Sequence, residues 1–315
     1  MRIPIIFAID RNVVVPCGVA LTSLFRNAGE DTFYAVFILH EDARLPLEDR
    51  ERILDAFRDE RHGEITFVEV GKDFSDIQIN GVFITAATYY RLLIPDLFPQ
   101  FDKVLYADID MIFQRDFTEV YRESLNDGKW IAAALDLAIE GYRFKAAFPE
   151  KIGKTADDYF NAGFLVMNLK EMREHDVSAL FREHLDKKYD QNDQDILNIV
   201  CKEHTLILPT CYNFQMNHFS NYMWKRKKTS IRFDGLFRTA TLHYTFRNKP
   251  WNSLDCVGYD TWWHYYKMSP FFDVLTYASR QREQIETYRN DYHNRTNKQL
   301  FLRILANIKH KLFKK

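Results

Sequence analysis

Strand-like apolar runs alternate with amphipathic helical patterns through the first part of the chain. The runs cover residues 2–9, 33–39 and 64–70, and the helical patterns between them cover residues 16–26 and 46–61. Strands separated by helices predict a parallel sheet, because parallel neighbours need a crossover connection that a helix commonly supplies. We therefore predict an α/β fold.

The same alternation continues along the rest of the chain. Further elements are predicted at residues 85–97 (helix), 103–110 (strand), 130–135 (strand), 160–169 (strand), 177–189 (helix) and 193–201 (helix). After residue 210 the pattern weakens into mixed aromatic and basic segments, and a helical tail follows.

Two carboxylates end the fourth predicted strand. The stretch KVLYADIDMIF, residues 103–113, is apolar nearly throughout, yet it contains Asp108 and Asp110. Alternate side chains of a strand point to the same face, so these carboxylates are predicted to project together. Asp10 ends the first strand, and open parallel sheets bind ligands beyond the carboxyl ends of their strands. The three carboxylates are therefore predicted to meet at one edge of the sheet.

Neighbouring carboxylates repel each other unless a cation joins them or one of them is protonated. A hard divalent ion removes the repulsion, since Mg²⁺ and Mn²⁺ favour oxygen ligands and often share them with substrate phosphates. The alternative is that one aspartate caps the next turn while the other pairs with Arg115. Neither a GxGxxG motif after the first strand nor a P-loop is present, which argues against dinucleotide hydride transfer and NTPase chemistry.

The composition is that of a folded protein without a strongly charged surface. Apolar residues make up 46% and charged residues 28% of the chain, and the net charge of −1 argues against nucleic-acid binding over the whole surface. The four cysteines are scattered without CxxC spacing, which indicates reduced thiols and no zinc site. The apolar run before Asp10 is too short for a signal peptide, and no run approaches the ~20 residues of a membrane span. We expect a cytoplasmic protein.

Several sequence blocks together resemble glycosyltransferase family 8, the group that contains bacterial lipopolysaccharide galactosyl- and glucosyltransferases. In chain order the blocks are IFAIDRN, TYYRLLIP, KVLYADID, FNAGFLVMNL, NDQDILN and HYTFRNKPW. Each block is modest alone, but they occur in the family's order and spacing. The resemblance implies a GT-A fold, which is a Rossmann-like nucleotide-sugar-binding domain with a mixed, mainly parallel sheet. It also implies a UDP-sugar donor, a Mn²⁺ cofactor and retention of anomeric configuration.

The resemblance assigns a metal site. Asp108 and Asp110 match the metal-binding D-x-D of the family, and His243 matches its third protein ligand. An imidazole beside two carboxylates suits Mn²⁺ better than Mg²⁺, which is the alternative ion. For a lone histidine the alternative role is that of a hydrogen-bonded core residue.

Donor-binding positions carry over residue by residue. The matching positions are Ala8, Asp10, Asn12, Arg91, Asp108, Ile109, Asp110, Asn161, Ala162, Gly163 and Lys249. Among them, Asp10 and Asn12 match side chains that hold the uridine, and Lys249 matches a lysine on the diphosphate. Arg91 matches an arginine that reaches the donor, while Gly163 lies in the block under the donor sugar, where glycine allows close backbone approach. Two positions depart from the pattern: Val13 replaces an aromatic residue that often stacks on uracil, and Phe246 replaces a glycine.

The resemblance places Asp136, Asp193 and Gln194 at the sugar as the candidate catalytic residues. Gln194 would lie below the anomeric carbon and stabilise an oxocarbenium-like centre while the acceptor attacks on the face of the departing phosphate. A double displacement through Gln194 or Asp193 is the alternative mechanism. The NDQDILN block also reads as a helix start capped by Asn192.

The C-terminal segment is basic and amphipathic. Residues 295–315 contain seven Lys and Arg residues and no Asp or Glu, and their apolar residues recur at helical spacing. Such a helix suits the headgroup layer of an anionic membrane, although packing on the body of the protein is the alternative. We predict a catalytic domain over residues 1–265 and a helical region over residues 266–315 that attaches the protein to the inner face of the cytoplasmic membrane.

The family resemblance, together with the paired aspartates, implies a retaining, metal-dependent glycosyltransferase. It would move galactose or glucose from a UDP-sugar to a lipopolysaccharide or another glycan, free or lipid-linked. The alternatives are the same fold with another donor, such as a UDP-N-acetylhexosamine, and a non-catalytic GT-A domain that only binds.

Overall fold

The structure is a computed structural model that describes residues 1–71, 86–125, 128–138, 152–153, 155, 158–218, 240–245, 247–254 and 256–290. Phe246 and the basic segment 295–315 lie outside these described residues, and so do the predictions made about them.

The described strands confirm the predicted alternation. In chain order they are β1 Arg2–Ala8, β2 Phe33–His40, β3 Gly63–Glu69, β4 Lys103–Ala107, β5 Met111–Ile112, β6 Ile131–Leu135, β7 Phe160–Asn168, β8 Thr205–Leu208, β9 Phe214–Gln215 and β10 Leu242–His243. The α-helices are α1 Val14–Arg26, α2 Leu47–Ala56, α3 Ile94–Leu97, α4 Thr118–Glu123, α5 Leu169–Glu174, α6 Val177–Arg182, α7 Asp193–Val200, α8 Tyr259–Met268 and α9 at residues 274–290.

A mixed, mainly parallel sheet forms the centre of the compact unit Met1–Phe271. Its described strands lie in the order β3-β2-β1-β4-β7-β6-β8, and only the β4–β7 and β6–β7 pairs are antiparallel. On one side of β1 lies β2, followed by β3. On the other side of β1 lies β4. The order of strands therefore reverses between β1 and β4. Such a switch point leaves a crevice at the carboxyl ends of its two strands, where open α/β sheets bind their ligands.

Both faces of the central strands are buried, which explains their nearly continuous apolar sequences. In β1, Ile5 and Phe7 pack in a cluster with Leu24 of α1, while Ile6 packs in a second cluster with Phe98 on the opposite side of the sheet. Alternating side chains of a strand thus supply two cores. This arrangement fixes the ends of β1 and β4 relative to each other.

A second sheet is built from very short strands. β10 pairs antiparallel with β5, where His243 lies opposite Met111, and parallel with β9, where His243 lies opposite Gln215. Because β5 begins one residue after Asp110, this pairing carries His243 to the end of β4.

Some boundaries differ from the predictions for local reasons. The segment predicted as a helix at 85–97 is described from residue 86 as a 3-10 helix, Ala86–Leu93, followed by α3, whose first turn contains Pro95. α2 ends at Ala56 rather than at residue 61, since β3 already begins at Gly63 to pair with β2. α6 ends at Arg182, several residues before the predicted end at 189.

The chain divides into two compact units, Met1–Phe271 and Phe272–Lys315. The described part of the second unit contains α9, in which Val274 and Leu275 are exposed. The predicted division at residue 265 stays a prediction. Within the described ranges, every helix is too short or too polar to cross a lipid bilayer.

Candidate active site

The two aspartates of the fourth strand lie in the turn that follows it. β4 ends at Ala107, so the prediction that Asp108 and Asp110 share one strand face is wrong in this detail. The backbone N–H of Asp108 donates to the carbonyl oxygen of Gly163 at 2.8 Å, and the N–H of Tyr244 donates to that of Asp110 at 2.9 Å. The turn is therefore held by Gly163 of β7 and by Tyr244, the residue that follows β10. The carboxylates of Asp108 and Asp110 converge in this turn.

Asp108, Asp110 and His243 form a cluster with the ligands of a metal site. One ligand atom from each residue lies within 4.8 Å of the others. His243 Nε2 is 3.2 Å from Asp110 Oδ1 and 3.7 Å from Asp108 Oδ2. Asp110 Oδ1 is buried and accepts no hydrogen bond from the described residues. A buried carboxylate oxygen without a donor is costly, so the cluster fits a cation bound between these three side chains.

Lys249 supplies positive charge beside this cluster. Its Nζ contacts Asp110 Oδ2 and the carbonyl oxygen of Tyr244. Burial alone would raise the pKa of Asp110, but Lys249 and His243 outweigh it and hold that pKa below the usual range of a carboxyl. Asp110 therefore stays ionised, as a metal ligand must.

Arg91 is buried behind the turn and has a protein partner at each nitrogen. Its Nη2 donates to Asp108 Oδ1 at 2.9 Å, Nη1 donates to the carbonyl oxygen of Ala162, and Nε donates to that of Thr88. Nε also lies 2.9 Å from Asp193 Oδ2. Asp108 thus pairs with Arg91, and the alternative pairing of an aspartate with Arg115 is not observed: Arg115 lies over a tyrosine ring instead.

Asp193 begins α7 in a buried position beside Arg91. Burial raises the pKa of Asp193 to about 7, because it outweighs the opposing charge of Arg91, and the charge of Asp108 adds to the increase. Asn192 precedes the helix with a positive φ of 53°, and its side chain does not cap the helix as predicted.

Gln194 and Asp136 are joined directly. Gln194 Nε2 donates to Asp136 Oδ2 at 2.9 Å and to the hydroxyl of Tyr159 at 3.1 Å, while Gln194 Oε1 accepts from the N–H of Ala162 at 3.0 Å. Asp136 Oδ2 also accepts from Asn161 Nδ2 at 3.1 Å. The structure thus brings the predicted site residues Asp136, after β6, Asn161, in β7, and Gln194, in α7, into one hydrogen-bonded group.

The predicted uridine positions lie at the end of β1. Asp10 is buried, and its Oδ1 accepts a hydrogen bond from the N–H of Asn12 at 2.8 Å. Asp10 thereby caps the short 3-10 helix Arg11–Val13. Ala8 ends β1, and Val13 packs against the core. Asp10 lies at the predicted edge of the sheet, but it is not one of the ligands that converge with Asp108 and Asp110.

Gly163 makes room for the imidazole ring of His243. A Cβ at this position would lie 2.3 Å from His243 Cε1 and 2.7 Å from its Nδ1. The glycine is therefore required by the imidazole ring, in addition to the expected approach of the donor sugar.

Two buried polar residues beside this site were missed from the sequence. Asn213 and Gln215 are both fully buried. They alternate with apolar residues in the stretch YNFQM, and this period of two was the available signal for a half-polar strand.

Comparison with solved structures defines the class of protein. The galactosyltransferase LgtC, solved with donor and acceptor sugar analogues, matches with a TM-score of 0.70 and 28% identity, over 84% of this chain and 95% of that one. The fold is therefore the GT-A fold of glycosyltransferases, as the resemblance implied.

The family follows from the sequence itself. The pattern of glycosyl transferase family 8 matches residues 4–255, so the chain belongs to this family. Relatives include the glycosyltransferase GlyE of Streptococcus pneumoniae, 28% identical over 83% of this chain and 60% of its own length. A lipopolysaccharide 1,2-glucosyltransferase of Escherichia coli is 30% identical over 64% of this chain and 61% of its own length. The chain thus spans about three fifths of these two relatives.

Proposed function

We propose that this glycosyltransferase is metal-dependent and retaining, and that it moves galactose or glucose from a UDP-sugar to a glycan acceptor. The convergence of Asp108, Asp110 and His243 at the switch point carries the proposal. These three side chains would hold a divalent ion, with Mn²⁺ favoured by the imidazole. When bound, such an ion would neutralise charge on the departing diphosphate and act as a Lewis acid.

The surrounding residues would bind the two halves of the donor. Asp10 and Asn12 at the end of β1 would hold the uridine, and Lys249 would bind the diphosphate with a charge-assisted hydrogen bond. Asp136, Asn161 and Gln194 would contact the sugar, since they lie in one connected group. Ala8, Ile109 and Ala162 would contribute through their positions next to these side chains.

The contacts of Gln194 and Asp193 favour attack on the donor's leaving-group face over a double displacement. Gln194 Oε1 already accepts a hydrogen bond from Ala162 N–H, which reduces its strength as a nucleophile. Asp193 is 2% exposed, and its Oδ2 lies 2.9 Å from Arg91 Nε, so its charge is already engaged by the guanidinium. Gln194 would instead present its fixed amide dipole to the developing positive charge, and the protein would act by positioning.

The acceptor is proposed by similarity. One relative is named as a lipopolysaccharide glucosyltransferase, and LgtC was solved with an acceptor sugar analogue. A lipopolysaccharide or another cell-surface glycan is therefore the acceptor class that we propose, at the inner face of the cytoplasmic membrane.

Calorimetry with UDP tests the proposed metal site. Because Asp108, Asp110 and His243 would hold an ion that neutralises diphosphate charge, UDP is expected to bind at least about tenfold more tightly with Mn²⁺ than in EDTA, a difference of about 1.4 kcal/mol or more. Equal UDP affinity in both conditions would contradict the metal site and favour a binding module. UDP release measured with UDP-galactose, UDP-glucose and UDP-N-acetylhexosamines would then identify the donor.

Membrane attachment through the basic segment is a separate proposal. Each of the seven basic residues in 295–315 is expected to add about 1 kcal/mol of attraction to an anionic surface at low salt. The full chain is therefore expected to sediment with anionic vesicles and to be largely released by molar salt, because salt screens charge but not apolar burial.

The matched variant replaces Lys309, Lys311, Lys314 and Lys315 with glutamine. It is expected to lose most of the binding to anionic vesicles while donor turnover stays unchanged. Vesicles of neutral phosphatidylcholine serve as the lipid control. Equal sedimentation of the variant and the parent chain would show that these charges do not hold the protein at a membrane.

A further inference from the structure

A chain of buried polar side chains connects Asp136 to His243. Asn161 Nδ2 donates to Asp136 Oδ2 at 3.1 Å, Asn213 Nδ2 donates to Asn161 Oδ1 at 2.8 Å, and Asn213 Oδ1 lies 2.9 Å from His243 Nδ1. All four residues are at most 8% exposed, and Asn213 is fully buried. The chain thus runs without exposed members from the proposed sugar-binding carboxylate to the proposed metal ligand.

The direction of every hydrogen bond in this chain is determined. The backbone N–H of Gly163 donates to Asn161 Oδ1 at 3.0 Å, and a backbone N–H can only donate. Asn161 therefore presents its oxygen to Asn213 and its NH₂ group to Asp136. Asn213 must then donate its own NH₂ group to Asn161, which leaves only its oxygen to face His243. It follows that His243 Nδ1 carries a proton, so in the neutral imidazole it is Nε2 that presents its lone pair to Asp108 and Asp110.

Gln215, which lies two residues after Asn213, holds the backbone around Asp136, at the other end of this row of hydrogen bonds. Its Nε2 donates to the carbonyl oxygen of Leu135 at 3.1 Å, and its Oε1 accepts from the N–H of Leu137 at 2.9 Å. One side chain thus binds the backbone on both sides of Asp136. Two polar residues of a single segment contact the surroundings of the sugar site and of the metal site.

We propose that Asn213 is a positioning residue that fixes His243 in its Nδ1–H tautomer, and that the segment 213–215 ties this histidine to Asp136. The proposal rests on the metal site proposed above. A free imidazole exchanges between two tautomers, and only the one with an unprotonated Nε2 can ligate an ion at the aspartates. Partners of this kind, which orient a metal ligand, typically account for 10–100-fold in metal affinity.

The leading test compares Asn213→Leu with Asn213→Asp. Leucine has a similar volume but no hydrogen-bond acceptor, so His243 is expected to lose its fixed tautomer. In the full-length protein without a nucleotide-sugar, Mn²⁺ is then expected to bind about 10–100-fold more weakly. Aspartate keeps an acceptor for His243 Nδ1–H but loses the donor to Asn161. It is expected to preserve the tautomer and to bind Mn²⁺ within about threefold of the parent chain. This contrast separates the tautomer from simple packing.

Two readouts are needed, and neither is activity. Long-range ¹H–¹⁵N NMR correlation of the metal-free protein, in alkaline buffer where an ordinary imidazole is neutral, reports which nitrogen carries the proton. The His243→Gln variant assigns the signal, and Mn²⁺ titration followed by electron paramagnetic resonance gives the affinity. Thr241→Val is the matched control, because Thr241 is fully buried near His243 and its hydroxyl has no partner among the described residues. That variant should leave both readouts unchanged.

The outcomes separate this inference from the proposed function. A parent chain that fails to bind Mn²⁺ would contradict the metal site, whereas the tautomer measurement would still decide the role of Asn213. An Nε2–H signal in the parent chain overturns the inference even if Asn213→Leu fails to fold. Unchanged tautomer and Mn²⁺ affinity in a folded Asn213→Leu variant overturn it as well.

Discussion

Replacing Asp110 with asparagine is expected to lower donor turnover by at least about a hundredfold, which corresponds to about 2.7 kcal/mol or more. Asparagine keeps the shape of the side chain but removes the charge of a carboxylate whose Oδ1 is buried without a donor and whose Oδ2 contacts Lys249. The ion would lose an anionic ligand, and Lys249 would lose its partner. UDP release measured across a range of Mn²⁺ concentrations provides the test.

Asp116 offers a matched control for this substitution. It is a half-buried aspartate on the same stretch of chain, and its carboxylate accepts from the backbone N–H groups of Gly29 and Thr118. Asp116→Asn is expected to lower the unfolding midpoint, because those hydrogen bonds weaken, while turnover per folded molecule stays the same. Turnover of Asp110→Asn within fivefold of the parent chain, at the same Mn²⁺ requirement, would rule out the role of Asp110 as a ligand.

Replacing Arg91 with alanine is expected to destabilise the fold by about 3–5 kcal/mol, the range for breaking a buried ion pair by removing one partner. The guanidinium is only 4% exposed, and its removal leaves Asp108 and Asp193 without their shared cation. Arg91→Lys keeps the charge but cannot reach every partner at once, so its loss should be smaller. Denaturant unfolding monitored by fluorescence measures the free energy of both variants.

The deficit of Arg91→Ala should depend on pH in a defined direction. Burial raises the pKa of Asp193 above that of an unfolded aspartate even with Arg91 present, and loss of the opposing charge raises it further. A carboxyl with a raised folded pKa contributes stability below its unfolded pKa, and this contribution is lost as pH rises through the folded value. The deficit is therefore expected to be small near about pH 5 and large near about pH 8.

The double variant Arg91→Ala/Asp193→Asn tests the cause of that dependence. Removing the unpaired carboxyl should restore part of the lost stability at alkaline pH and flatten the pH profile. A deficit of the single variant that is equal at both pH values would show that packing of the arginine stem, and not its charge, accounts for the loss.

The sheet and the two aspartates were predictable from sequence because their signals are local. The apolar run before Asp108 and the helical patterns between successive strands can each be recognised within one short stretch of sequence. The structure confirms the strand and the sheet that they predicted. The place of His243 was not accessible in this way. It depends on the pairing of strands of two residues each, β5, β9 and β10, and a local sequence pattern does not show which distant strands pair. Only the family resemblance indicated that this histidine reaches the aspartates.

The connections made by Asn213 were also beyond sequence reasoning. Its partners, Asn161 and His243, lie on β7 and β10, so nothing in its own neighbourhood reveals them. The antiparallel pairing of β7 with β4 could not be predicted from the sequence either. A strand that is buried on both faces has an apolar sequence whichever way it runs.

The small sheet has a consequence for how the site arises during protein synthesis. Lys249 contacts Asp110 across 139 residues of sequence, and His243 reaches the same turn through β10. A nascent chain that has emerged only as far as β8 already contains every strand of the large sheet that the structure describes, but it lacks His243, the third residue of the proposed metal site. At about 5–20 residues per second, the segment that carries His243 and Lys249 is translated a few seconds later. Metal capture at the proposed site would then follow synthesis of the sheet that positions the aspartates.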